Sequence, residues 1–174
     1  MANIIYFNKE SKGVDDKTLT RIGIRGRRAV ELASMGLPIV PGFIVDSELT
    51  LKLSSLNIKE QIVSHVSQIE KETGKKFGDK KKPLMLKLVI SSDLNVPFFP
   101  SIHNIGMNSD TVEAFGTYTG KEFAYGEYLF LLRNLAKKVY DIKEEDIKKI
   151  ENTLGKKPTV EQMIKAIELY KKEF

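Results

Sequence analysis

The stretch "RIGIRGRRAVELASMGLPIVPGF", residues 21–43, combines a turn rich in glycine and arginine, a short apolar helix and a proline-punctuated strand. Its apolar spacing predicts a helix over residues 26–35 that ends at Gly36. Pro38 and Pro41 favour the entry or the edge of a strand rather than the middle of a sheet. The turn raises the question of whether this region binds a phosphate, a nucleic acid or nothing.

Working outward, the chain alternates a few strand patterns with many helical ones. Residues 84–92, "LMLKLVISS", are nearly all apolar, and this predicts a central strand buried on both faces. A short strand is predicted at 3–7, and helices are predicted over 48–55, 58–72, 110–120, 122–139, 143–154 and from Thr159 onward. The predicted fold class is therefore α+β (α/β), with a small β-sheet packed against several helices and a C-terminal helical pair.

The amino-acid composition limits the classes of protein to which this chain can belong. The 174 residues include 41% hydrophobic and 29% charged residues, which predicts a globular chain. The absence of cysteine excludes disulfides and thiolate chemistry. No apolar run is long enough for a membrane helix and the N-terminus does not resemble a signal peptide, so we expect a cytoplasmic protein without a membrane partner. The net charge of +5, which lies within residues 1–140, favours anionic partners.

Several segments, in the same order along the chain, resemble the N-terminal region of the pyruvate phosphate dikinases and phosphoenolpyruvate synthase-type dikinases. Residues 36–43, "GLPIVPGF", match that family's Gly-Leu-Pro-x-Pro-Pro-Gly-Phe stretch. The other matching segments are "IEKETGKKFGD" (69–79), "NIGMNSDTVEAF" (104–115), "TGKEFAYGEYLFLL" (119–132) and the tail "PTVEQMIKAIELYKKEF" (158–174).

The resemblance implies the first half of an ATP-grasp nucleotide-binding domain over residues 1–140, with a helical appendage of the same domain over 141–174. The family's Gly-Gly-Lys-Gly turn, which holds nucleotide phosphates, corresponds to Gly23, Arg25 and Gly26. ATP with Mg would be the implied ligand, and a protein partner would supply the rest of a dikinase. No residue of this chain corresponds to a catalytic group, and no metal ligands are expected.

The chain departs from the family pattern where phosphate contacts are expected. Ile24 replaces a glycine of the turn and would crowd a phosphate, since a β-branched residue disfavours positive φ. Leu88 or Val89 stands where the family has a strand arginine, and losing a charge-assisted contact costs about 1.5–3 kcal/mol. Phe98 and Phe99 replace small or flexible residues, and they are candidates for a base or partner contact or for packing.

Three functions follow from these patterns. The first is a dikinase-like domain with a degenerate phosphate site, silent alone and acting in partner binding or regulation. The second is the nucleotide-binding part of an active dikinase whose other domains lie on a longer or a separate chain. The third, nucleic-acid binding by a basic patch, has the least support because aromatic residues are not interleaved with the basic runs. His65 and His103 are predicted to be structural or exposed.

Overall fold

The computed structural model describes residues 4–51, 58–91, 93 and 101–174. The chain divides into two compact units by its contacts. Unit 1 comprises residues 1–74 and 90–98, and unit 2 comprises residues 75–89 and 99–174. The predicted division at residue 140 into a subdomain and an appendage stays a prediction.

Unit 1 contains a two-stranded antiparallel sheet with four helices. Its elements are β1 (Ile4–Phe7), α1 (Asp16–Arg21), α2 (Gly23–Ser34), β2 (Gly42–Val45), α3 (Ser47–Thr50) and α4 (Lys59–Thr73). The strands pair in a register that places Tyr6 opposite Phe43 and Phe7 opposite Gly42. Gly42 makes room for the ring of Phe7, because a Cβ at Gly42 would lie 2.6 Å from its Cζ. The quoted stretch therefore forms helix α2 and strand β2, with both prolines ahead of the strand as predicted.

Unit 2 is dominated by helices. Its elements are β3 (Leu86–Leu88), β4 (Ile102–Ile105), α5 (Ser109–Thr119), α6 (Lys121–Lys138), α7 (Glu144–Glu151) and α8 (Val160–Glu173). The core lies around α6, which packs against α5 and α8. Its central side chains include Leu132, Ile167 and Tyr170, of which Tyr170 is fully buried. The predicted capping box of α8 is present, with Thr159 and Gln162 each bonded to the other's backbone N–H.

The mixed fold class is confirmed, but the prediction for residues 84–92 is wrong. Strand β3 covers three residues and pairs with β4 alone in a two-stranded antiparallel sheet. Leu88 is 46% exposed and Val89 is 39% exposed, so the apolar run is not buried on both faces. The apolar pattern was typical of a central strand, but burial on both faces requires neighbours that only tertiary structure supplies.

Several local predictions also need correction. The sequence patterns predict loops over residues 10–18 and 93–108, but α1 begins within the first and β4 lies within the second. Asp110 is the predicted cap of α5, but Asn108 caps it, because its side chain accepts bonds from the N–H groups of Asp110 and Thr111. The helical spacing predicts inward faces that include Leu32, Val63, Phe123 and Ile164, but these side chains are exposed. Asn57, which the sequence predicts as the cap of α4, lies outside the described residues.

Candidate functional site

The start of helix α2 is where the sequence places its phosphate turn. Gly23 has φ +64°, the left-handed region that favours glycine, and it opens the helix directly after Ile22. Ile22 supplies no side-chain hydrogen bond to cap the helix. The first N–H groups of α2 therefore need acceptors from elsewhere, as every helix start does.

A distant carboxylate supplies those acceptors. Both Oδ atoms of Asp93 lie 2.9 Å from the backbone N of Ile24, which donates to them. The N–H of Arg25 donates to Ser91 Oγ at 3.1 Å. The Ser91 hydroxyl in turn donates to Asp93 Oδ1 at 2.6 Å. The helix end thus receives an anion from within unit 1, in the position where helix N-termini bind phosphate groups.

The surroundings of Asp93 favour its ionised form. The hydrogen bond from Ser91, together with that from the Ile24 N–H, holds the pKa of the Asp93 carboxyl below its usual value. Arg27 adds a weaker attraction, with its Nη2 3.9 Å from Asp93 Oδ2. Arg27 is itself oriented by a bond from its Nε to the Leu19 carbonyl oxygen at 2.9 Å. Arg27 and Asp93 are both partly exposed, so solvent screens their attraction.

The three predicted turn residues have different surroundings. Gly26 is buried, and a Cβ there would lie 3.0 Å from Ile22 Cβ and 3.3 Å from Ile44 Cδ1. Its lack of a side chain therefore serves packing within unit 1. Arg25 is exposed, and Gly23 takes the left-handed conformation. Their assignment to nucleotide binding stays a prediction.

One physical argument about the turn needs revision. Ile24 was expected to crowd a phosphate because a β-branched residue disfavours positive φ, but Ile24 is not among the described residues with positive φ, and Gly23 takes that conformation instead. The Ile24 side chain is 40% exposed. The Ile24 N–H group is engaged, because it donates to the Asp93 carboxylate.

The remaining candidates lie elsewhere. Phe98 and Phe99 lie outside the described residues. The ring of His65 is 5.4 Å from that of Phe43 and its Nδ1 is 2.7 Å from the Gln61 carbonyl oxygen, an arrangement typical of packing. The ring of His103 meets Phe130 edge-on at 5.9 Å within unit 2.

The described residues offer neither a cluster of metal ligands nor a membrane-spanning helix. Across the described ranges, no three His, Cys, Asp or Glu side chains are grouped so that they could hold a metal ion. Among the same residues, no helix combines the length and the apolarity that crossing a bilayer requires.

Sequence reasoning missed Asp93 and Ser91 as partners of the turn. Asp93 and Ile24 are 69 positions apart, and no local spacing rule connects residues so distant. The signal available was a serine and an aspartate two residues apart just after a strand-like run. That pattern marks a polar segment, but it does not indicate which N–H groups the segment meets.

Comparison with known proteins identifies the class. No protein-family model matches the sequence. The chain is 34% identical over 174 residues to the pyruvate, phosphate dikinase of Treponema pallidum, across 98% of its own length. It is 28% identical to the chloroplastic enzyme of Mesembryanthemum crystallinum over 86% of its length, and 29% identical to that of Clostridium symbiosum over 74%.

These matches show that the chain belongs to the pyruvate, phosphate dikinase family, as a relative of one segment of those proteins. It spans 18%, 17% and 16% of the length of the three relatives, respectively. The resemblance first seen in residues 36–43 is therefore confirmed at the level of the family.

Proposed function

We propose that this chain is a dikinase-like ATP-grasp half-domain whose phosphate turn is closed from within, and that it acts in partner binding or regulation rather than in catalysis by itself. Family membership supports the dikinase-like part. The observation that carries the rest is the engagement of the Ile24 and Arg25 N–H groups by Asp93 and Ser91.

The closure opposes nucleotide binding for two reasons. A phosphate oxygen would have to accept from the same N–H groups that already donate to an oxygen of unit 1. It would also approach the Asp93 carboxylate, and two like charges at hydrogen-bond distance repel each other. A triphosphate must therefore displace Asp93 before it can bind, and the displacement costs the hydrogen bonds that Asp93 accepts.

The residues at which this chain departs from the family pattern weaken the other contacts that a nucleotide would make. Arg25 keeps a positive charge where the family has a lysine, but its planar fork differs from a compact ammonium. Leu88 and Val89, the two positions where the resemblance places the strand arginine, belong to unit 2 and carry no charge. One half of an ATP-grasp domain also encloses a nucleotide on one side only, so it excludes water from the nucleotide poorly.

Calorimetric titration of the 174-residue chain with Mg-ATP tests the proposal. We expect no saturable heat at micromolar to low millimolar ATP and no release of phosphate. Asp93→Ala frees the Ile24 N–H and removes the carboxylate that would repel a phosphate, so we expect this variant to bind Mg-ATP weakly but measurably. Asp93→Asn is the matched control, since it removes the charge but keeps an acceptor oxygen beside the Ile24 N–H. A micromolar dissociation constant for the unaltered chain would overturn the proposal.

The second candidate is the nucleotide-binding part of an active dikinase whose other domains lie on a longer or separate chain. Two observations favour it: the similarity extends over 98% of the chain, and Gly23 keeps the left-handed conformation expected of a phosphate turn. Under this candidate Mg-ATP binds the unaltered chain, and Arg25→Gln weakens that binding about tenfold or more, the loss expected for one charge-assisted contact. The same titration therefore separates the two.

A further inference from the structure

The positive charge of this protein is concentrated in one short segment. Residues 75–89 hold six Lys and one Asp, while the rest of the chain holds 22 Lys or Arg and 22 Asp or Glu. The whole net charge of +5 thus equals that of these 15 residues, which all belong to unit 2. Net charge confined to one place acts on a partner more strongly than the same charge spread over a surface.

Residues 75–83, called the lysine loop from here on, form an ordered structure. The loop is closed by two backbone bonds, from Lys76 N to the Lys82 oxygen and from Leu84 N to the Lys76 oxygen, both 2.9 Å. Inside it, Asp79 Oδ1 accepts the N–H groups of Lys81 and Lys82 at 2.7 Å each. A partner that binds here meets a loop held in one conformation, so less ordering entropy is lost on binding.

Contacts with the rest of unit 2 hold the loop in place. The hydroxyl of Tyr118 donates to the Lys81 carbonyl oxygen at 3.1 Å. Phe77 packs so closely on Gly106 that a Cβ there would lie 2.8 Å from the ring. Gly106 has φ +108°, so any other residue at this position would be strained.

Most of the ammonium groups remain available. Lys80 pairs with Asp110 at 3.2 Å, and both side chains are largely exposed. Within the described residues, no acidic side chain forms a salt bridge with Lys76, Lys81 or Lys82, and all three are exposed. An open depression of about 480 Å³ lies among these side chains, lined by Lys76, Phe77, Gly78, Asp79, Lys80 and Lys81.

We propose that the lysine loop is a docking surface for an acidic segment of a partner protein. Charge complementarity favours this partner, because ammonium groups act as compact point charges that attract the carboxylates of an acidic segment. The segment contains no arginine, the residue whose planar fork reads bases and phosphates with paired hydrogen bonds.

This inference rests on unit 2 alone and does not depend on the proposed function. Fluorescence anisotropy of a labelled polyglutamate of about 12 residues, titrated with the 174-residue chain at about 50 mM salt, tests it. The test variant is Lys76→Gln/Lys81→Gln/Lys82→Gln. The matched control is Lys156→Gln/Lys157→Gln/Lys165→Gln, which removes the same net charge from exposed positions outside the loop.

We expect the unaltered chain to bind polyglutamate and to release it as salt rises. The loop variant should bind about tenfold more weakly, whereas the control variant should stay within about twofold. Equal losses in both variants would overturn the proposal, since binding would then follow net charge alone. It would also be overturned if no binding occurs, or if a deoxythymidine strand of equal length binds the loop more tightly than polyglutamate does. Unchanged melting curves of both variants by circular dichroism exclude misfolding as the cause.

Discussion

In unit 1 a carboxylate from Asp93 satisfies the start of α2, and the residues of the unit sum to no net charge. In unit 2 residues 75–89, which include the lysine loop, hold a net charge equal to the whole positive excess, and Lys76, Lys81 and Lys82 form no salt bridge among the described residues. The charge of Asp93 is therefore engaged within its own unit, whereas the ammonium groups of Lys76, Lys81 and Lys82 are exposed to solvent. The contrast teaches that the place of a charge in the fold, and not only its presence in the sequence, decides whether a partner can reach it.

The units also differ in how they are stabilised. Among the described residues, five buried apolar side chains belong to unit 1 and 18 to unit 2. In unit 1 these are Ile22, Val30, Ala33, Leu49 and Ile69. Removing a core side chain from unit 2 should therefore have the largest effect on stability, and changes at the start of α2 should have smaller ones.

The largest effect is expected for Tyr170→Ala. Tyr170 is fully buried, and its hydroxyl donates to Glu151, which also accepts from Arg133 Nε at 2.8 Å. Losing the ring should reduce the free energy of unfolding by about 3–5 kcal/mol. Tyr170→Phe keeps the ring and should cost about 1–2 kcal/mol, for the lost hydrogen bond alone. Urea denaturation followed by circular dichroism measures both, and equal losses would mean that the hydroxyl network, not the packing, dominates.

Intermediate effects on the free energy of unfolding are expected when a helical glycine is changed to alanine. The change should destabilise unit 1 at one glycine and stabilise unit 2 at another. At Gly26 in α2, the new Cβ would lie 3.0 Å from Ile22 Cβ, and we expect a loss of about 1–2 kcal/mol from overpacking. At Gly126 in α6, the nearest atom is Met163 Sδ at 4.0 Å, so the higher helix propensity of alanine should add about 0.5–1 kcal/mol.

Thermal denaturation of the two glycine variants checks this pair directly. If Gly26→Ala raised the melting temperature as Gly126→Ala should, the close contact with Ile22 would not constrain the helix. The interpretation of Gly26 as a packing glycine would then fail, and a role in ligand access would regain support.

The sequence predicted the local elements of this fold better than their partners. The apolar spacing and caps of α2, α4, α6 and α8 indicated those helices, because the information lies within one or two turns. The capping box at Thr159 is an example in which four residues suffice. Strand pairing is different, since β3 meets β4 across a long connection and neither sequence specifies the other.

The candidate site shows the same division. The resemblance predicts a phosphate turn at Gly23, Arg25 and Gly26, and the structure places these residues at the start of α2, with Gly23 in the left-handed conformation. Asp93 could not be found as the partner of Ile24, because their contact exists only after folding. Charge along the chain was visible, but the distinction between paired and exposed charge was not.

The smallest effect is expected for Asp93→Asn, and it should depend on pH. The pKa of Asp93 is lower in the folded chain than its ordinary value, so its carboxylate stabilises the fold above the unfolded pKa of about 4. That contribution is lost as pH falls through the folded pKa. The urea midpoint of Asp93→Asn should therefore lie below that of the unaltered chain at pH 7, and the difference should shrink as pH falls below about 4.

Asp110→Asn in α5 is the matched control for Asp93→Asn. It removes an acidic residue from the first turn of a unit 2 helix whose N–H groups Asn108 already caps, so the loss at pH 7 should be smaller. If both variants lost the same stability at pH 7, the helix dipole would account for the effect and the bonds to the Ile24 N–H would not. Because Asp93 accepts those bonds only while α2 is folded, a larger and pH-dependent loss would instead mean that closing the turn also stabilises unit 1.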